Sequence, residues 1–139
     1  MNTELARKLI KKAKSYKGIP YRFGAEPSLS KEPPSALDCL ELIERIFKLT
    51  PGAPVLPDGS KNQAASKKTR RISTTKALST PAALLFISNT GKPSGVHHVG
   101  LSVGDGTTIE ANGYYGKVVH RKPRANYYTF GMIVKGVHY

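Results

Sequence analysis

His97-His98-Val99-Gly100-Leu101-Ser102-Val103, then Gly104-Asp105-Gly106, then Thr107-Thr108-Ile109-Glu110-Ala111, reads as two strands joined by a tight turn. Val99, Leu101 and Val103 alternate along the first strand, Ile109 and Ala111 along the second, so each strand has one apolar face. Those faces coincide only if the loop holds an odd number of residues, such as the three from Gly104 to Gly106. That register sets Gly100 opposite Glu110 and His98 opposite Asn112. His98 and Glu110 then leave the same, non-core face as diagonal neighbours within reach of each other. Gly100 between them leaves room for a substrate or a helix. His97 points to the opposite face and is expected to be structural, and His120 and His138 have no comparable context.

The pattern around the hairpin gives the fold class. Strands are predicted at 83–88, 97–103, 107–112, 116–121 and 130–137. Upstream, Leu5, Leu9, Ile10, Ala13 and Tyr16 predict a helix over 3–16, capped by Thr3 and ended by Gly18. A second helix is predicted from Asp38 to about Lys48 and a third from Ser60 to Lys68, followed by the basic run KKTRR. The Pro- and Ser-rich 24–36 and the Pro- and Gly-rich 50–60 read as loops. Helices first and strands after argue α+β with an antiparallel sheet, and the length of 139 residues suits one domain, residues 1–139.

The second helix supplies a partner for His98. Cys39, Leu42, Ile43, Ile46 and Phe47 share one stripe, so the thiol faces the rest of the fold. Asp38 suits the N-cap, and unpaired N–H groups and the helix dipole stabilise a thiolate in the first turn. A thiol, an imidazole and a carboxylate are the parts of a nucleophile, base and orienter, here Cys39, His98 and Glu110. Asn112 competes with Glu110 for the orienting position. The bland alternative is a capped helix whose cysteine merely packs. No group of Cys, His and carboxylates has metal-ligand spacing, so neither metal nor cofactor is expected.

One cysteine permits no internal disulfide, and no apolar run reaches the roughly 18 residues of a membrane span. A net charge of +13 attracts polyanions without choosing among nucleic acid, acidic lipid and anionic cell wall.

Taken together the motifs resemble the NlpC/P60 peptidases. Tyr21-Arg22-Phe23-Gly24, Leu37-Asp38-Cys39, the strand from Pro81 to Phe86, His98-Val99-Gly100-Leu101 and Ile109-Glu110-Ala111 follow that family's order across nearly the whole chain. The resemblance implies a papain-like fold, N-terminal helices packed on a small antiparallel sheet. It implies hydrolysis of peptidoglycan stem peptides, often at the bond between D-γ-glutamate and the diamino acid. It places Tyr21 beside the thiol and lets Asp38 meet the amino end of the peptide. The sequence departs from the family at Leu40-Glu41 for Ser–Gly, Ala82-Ala83 for Gly–Asp, and Glu110 where His is more frequent. That pattern resembles phage cell-wall hydrolases and tail components. The N-terminus also lacks the apolar core and cleavage site of a signal peptide, so delivery within a virion or by another system to the periplasmic or extracellular wall is expected. Expected partners are peptidoglycan peptides and anionic cell-wall polymers. Alternatives are an amidase with the same Cys-His dyad, a catalytically dead structural domain, or a polyanion or nucleic-acid binder using 61–76 and 117–124; no nucleic-acid motif favours the last.

Overall fold

The computed structural model describes residues 1–139. Helix α1 (Thr3–Ser15) buries Leu5, Leu9, Ile10 and Ala13 of the predicted stripe together with Ala6, and Tyr16 is buried just past its end. Its cap is Asn2 rather than Thr3: the Asn2 side chain accepts the Leu5 N–H at 3.0 Å, and Thr3 is already helical. Helix α2 (Cys39–Leu49) starts as expected, with Asp38 Oδ1 accepting the Glu41 N–H at 2.9 Å. Helix α3 (Ser60–Ala65) is shorter than predicted, because the chain turns at Ser66 into strand β1 (Thr69–Ile72). The basic run is therefore partly a strand. Helix α4 (Thr74–Leu78), capped by Ser73, had no sequence signal long enough to read.

Strands β2 (Leu84–Ser88), β3 (Val96–Ser102), β4 (Thr108–Asn112), β5 (Lys117–Arg121) and β6 (Phe130–Val134) follow the predicted strands closely. With β1 they form one antiparallel sheet of six strands in the order β1-β6-β2-β3-β4-β5. The hairpin register is the predicted one, with Leu101 paired to Ile109 and Ser102 to Thr108. Gly104 makes the turn possible: its φ is +94°, and a Cβ there would sit 2.6 Å from Pro81. At Ala82, where the family has Gly, φ is +64°, a conformation that strains a residue with a Cβ.

α1 and α2 cover one sheet face, where Leu84, Phe86, Val99, Leu101, Ile109 and Ala111 join their buried stripes in one apolar cluster. The opposite face is also covered. α4 lays Ala77 against it, and the segment after β5 folds back to bury Tyr128 among Ala77, Ala83 and Leu85. β1 closes one edge with Arg70 over the Tyr139 ring and Arg71 over Phe130, charges that discourage edge-to-edge pairing. At the other edge, Gly18 and Ile19 hydrogen-bond to Val118 of β5, which leads the chain to Tyr21.

A buried arginine ties the long 24–36 loop to the helices. Arg45 is 0% exposed, and its guanidinium donates to the carbonyls of Pro27, Ser28 and Lys31 and to the Tyr16 hydroxyl. Glu32 lies 3.9 Å away and supplies countercharge. Removing the guanidinium strands those acceptors, so Arg45→Leu is expected to cost about 3 kcal/mol in urea unfolding. It should also open the loop to proteolysis; unchanged stability contradicts this role.

Candidate functional site

A short backbone pairing brings the cleft together. Pro20 and Tyr21 run beside Leu37, with Leu37 N–H donating to Pro20 O at 3.0 Å and Arg22 N–H to Leu37 O at 3.2 Å. Tyr21 therefore stands next to the start of α2. Asp38 then fixes the loop as well as the helix, its Oδ2 accepting the Gly24 N–H at 3.1 Å. Cys39, the first residue of α2, is 8% exposed and opens on a cleft of about 440 Å³. Tyr21, Phe23, Asp38 and Leu40 form one part of its wall, and Ser60, Lys61 and Asn62 of α3 another. Leu40 thus places its bulk in the cleft itself. Burial raises the pKa of Asp38 and of Tyr21 above their ordinary values; backbone N–H groups oppose this at Asp38, and the negative charges of Cys39 and Asp38 add to it at Tyr21.

His97 does not point away as alternation predicts. The pairing of β2 with β3 skips it, running from Ile87–His98 to Ser88–Val96, so His97 is the extra residue of a bulge. Val96 and Val99 both enter the core, while His97 is exposed and lines the cleft with Cys39. His120 bonds Thr107 at 2.8 Å. His138 bridges Val134 N–H and Pro81 O near the C-terminus, at 2.8 and 2.9 Å.

His98 and Glu110 meet as the register requires, Nε2 to Oε2 at 2.6 Å. With Nε2 taken by the carboxylate, Nδ1 is the nitrogen left for the Cys39 thiol, which also acts on the ring. Burial opposes the charged ring, yet the hydrogen bonds and charges of Cys39 and Glu110 outweigh it and raise the His98 pKa to about 9. Burial likewise opposes ionisation of Glu110. The hydrogen bond and charge of His98, then the bonds from Tyr128 and Asn112, prevail and lower it to about 2.

Glu110 is 0% exposed, and two of its partners, Arg121 and Tyr128, lie beyond the hairpin whose alternation gave His98 and Asn112. Arg121 donates through Nε at 2.8 Å and Nη2 at 2.7 Å to Oε1, and the Tyr128 hydroxyl donates to Oε2. Asn112 Nδ2 also donates to Oε1, at 3.1 Å, so the competing orienter is bonded to the carboxylate. The space at Gly100 is filled by neither substrate nor helix. Tyr128 lies across it, so close that a Cβ would collide with its hydroxyl, and its ring stacks near His98 with centroids 6.2 Å apart.

The pair has a defined pH signature. The contribution of His98 to stability is complete below its ordinary value of 6.5 and is lost as pH rises through about 9. That of Glu110 is complete above its ordinary 4.5 and is lost as pH falls through about 2. The two are both complete between about pH 4.5 and 6.5. Glu110→Gln should bring the His98 pKa, read from its ring protons by NMR, from about 9 to near or below 6.5. A value that stays near 9 removes Glu110 as the controlling group.

Comparisons with known proteins agree in fold. The sequence model of the NlpC/P60 family matches residues 18–135. No curated protein matches the sequence. Among solved structures, the P60 domain of an antigen from Mycobacterium avium subspecies paratuberculosis is similar at TM-score 0.76 and 25% identity, over 98% of this chain and 97% of that one. RipB, a peptidoglycan hydrolase from Mycobacterium tuberculosis, is similar at TM-score 0.75 and 26% identity, over 98% of this chain and 66% of that one. RipD of the same organism, described as a non-catalytic NlpC/P60 domain protein adapted to peptidoglycan binding, has TM-score 0.70 and 19% identity, over 93% and 95% of the two chains. What is shared is the papain-like arrangement of helices on an antiparallel sheet.

Proposed function

The chain belongs to the NlpC/P60 family, and we propose that it is a cysteine peptidase that hydrolyses the stem peptides of bacterial peptidoglycan. The observation that carries this is the alignment at the cleft: Glu110 holds His98 through Nε2, and Nδ1 is left to serve a thiol at a helix start. A domain adapted only to binding, as RipD is described, has no need of a buried carboxylate clamped at the far side of that imidazole.

In this reading His98 holds the proton of Cys39, and the thiolate attacks the scissile carbonyl carbon. The carbonyl electron pair moves to oxygen, where the Cys39 backbone N–H and the Tyr21 hydroxyl donate hydrogen bonds. Collapse breaks the C–N bond, and His98 Nδ1 gives its proton to the leaving amine. Water, deprotonated by His98, then attacks the thioester, releasing the acid and the thiol. Glu110 stays ionised throughout and supports the imidazolium.

Lys61 at the cleft wall suits the free α-carboxylate of a D-glutamate linked through its side chain, a contact contributing about 1.5–3 kcal/mol. Asp38, with lone pairs left after two backbone bonds, suits a free amino group. These features support cleavage between D-γ-glutamate and the diamino acid. The action belongs at the cell wall, and Glu110 in place of the commoner His supports a phage-type hydrolase. Mass analysis of digested wall is expected to find fragments with a new N-terminal diamino acid, none from Cys39→Ala and few from His98→Ala. Activity in Cys39→Ala overturns the mechanism. Cuts between the sugar and L-alanine indicate an amidase, and binding without products indicates a role like that described for RipD.

A further inference from the structure

On the far side of Glu110 from Cys39, we propose, the depression lined by Asn112, Tyr114, Tyr115, Arg121, Arg124 and Tyr127 is a second binding site, for a phosphate group of an anionic cell-wall polymer. Phosphate follows from the site's own chemistry; the polymer rests on the cell-wall reading above. The depression holds about 350 Å³ and shares no residue with the cleft at Cys39.

Its charge is one-sided. Two guanidinium groups line it and no carboxylate does. Glu110 engages Nε and Nη2 of Arg121 through one oxygen, and the guanidinium lies over the Tyr127 and Tyr115 rings at 4.5 and 5.4 Å, which leaves Nη1 as its donor toward a ligand. Arg124 forms no ion pair and merely rests over the Tyr127 ring, 5.8 Å from its centroid. Paired guanidinium forks match the spread oxygens of a phosphate better than flexible ammonium groups do. The lysine groove on α1 is a weaker candidate, since it offers only flexible ammonium groups, and two of its three lysines, Lys8 and Lys12, meet Glu4 and Glu32.

The rim is built rather than loose. Asn112 Oδ1 accepts the N–H groups of Tyr114 and Tyr115 at 2.8 and 3.4 Å, while Nδ2 donates to Glu110 and to the Tyr127 hydroxyl. Tyr114 and Tyr115, packed edge to face at 5.1 Å, stay 90% and 47% exposed. Aromatic faces and hydroxyls beside the free charge of Arg124 and the outer donors of Arg121 suit a phosphate borne on a polyol or sugar. Of the basic segment 117–124, Arg121 and Arg124 thereby share one location with Tyr114, Tyr115 and Tyr127.

The test uses the full chain as Cys39→Ala, so wall hydrolysis does not enter. Backbone amide NMR follows a titration with sn-glycerol 3-phosphate at fixed ionic strength, with glycerol as the neutral control. Saturable shifts confined to residues 112–127 are expected, with none from glycerol. Arg124→Ala should weaken affinity about tenfold or more with the rest of the spectrum unchanged, and Arg124→Lys should weaken it less. Absence of saturation, or equal shifts around Lys8, Lys11 and Lys12, overturns the site. Tighter binding of a short oligothymidylate at the same residues overturns the polymer assignment in favour of nucleic acid. Failure of the hydrolase reading appears separately, in wall digests by the unmodified protein.

Discussion

A carboxylate with no access to water governs this molecule. Removing Glu110 from solvent carries a large desolvation cost, and a buried charge persists only where donors and countercharge offset it. Here His98, Arg121, Tyr128 and Asn112 all converge on its two oxygens. Each partner comes from a different stretch of chain, so satisfying the charge fixes where β3, β5 and the segment after β5 must lie. Deleting one partner leaves the rest with a buried, underpaired charge, and for that reason the cluster should behave as a unit.

The consequence reaches the cleft. Glu110 occupies Nε2 of His98 and thereby sets the tautomer and the ring orientation, leaving Nδ1 for the thiol. On the other side, Asp38 caps α2 and pins Gly24, Arg45 holds the loop that follows, and the Tyr21–Leu37 pairing stands Tyr21 beside Cys39. The central helix thus brings Cys39, and β3 and β4 bring His98 and Glu110, to the candidate site.

Much of this is legible in the residues because it obeys local periodicity. Alternation and an odd loop placed His98 diagonal to Glu110, and a carboxylate before an apolar stripe placed Cys39 at a helix start. What escaped depends on contacts distant in sequence. The bulge that turns His97 into the cleft breaks the alternation on which its assignment rested. Arg121 and Tyr128 reach Glu110 through tertiary folding, and Gly100 betrays only that something approaches, not that it is Tyr128. The run KKTRR carries no strand alternation that marks it as β1, an edge strand whose outer side accepts charge. The burial of Arg45 likewise follows from the carbonyls of the 24–36 loop turning toward it, which no local pattern on α2 marks.

The most direct test of this account is the rate at which a small alkylating reagent modifies Cys39 in the native protein as pH is varied. A thiol paired with a charged, carboxylate-held imidazole should react at neutral pH much faster than the same cysteine in the unfolded chain, with a rate nearly level across the neutral range. Glu110→Gln should abolish much of that advantage while the fold persists. A rate that climbs with pH like that of a free cysteine, and is indifferent to Glu110→Gln, contradicts the claim that the buried carboxylate governs the site.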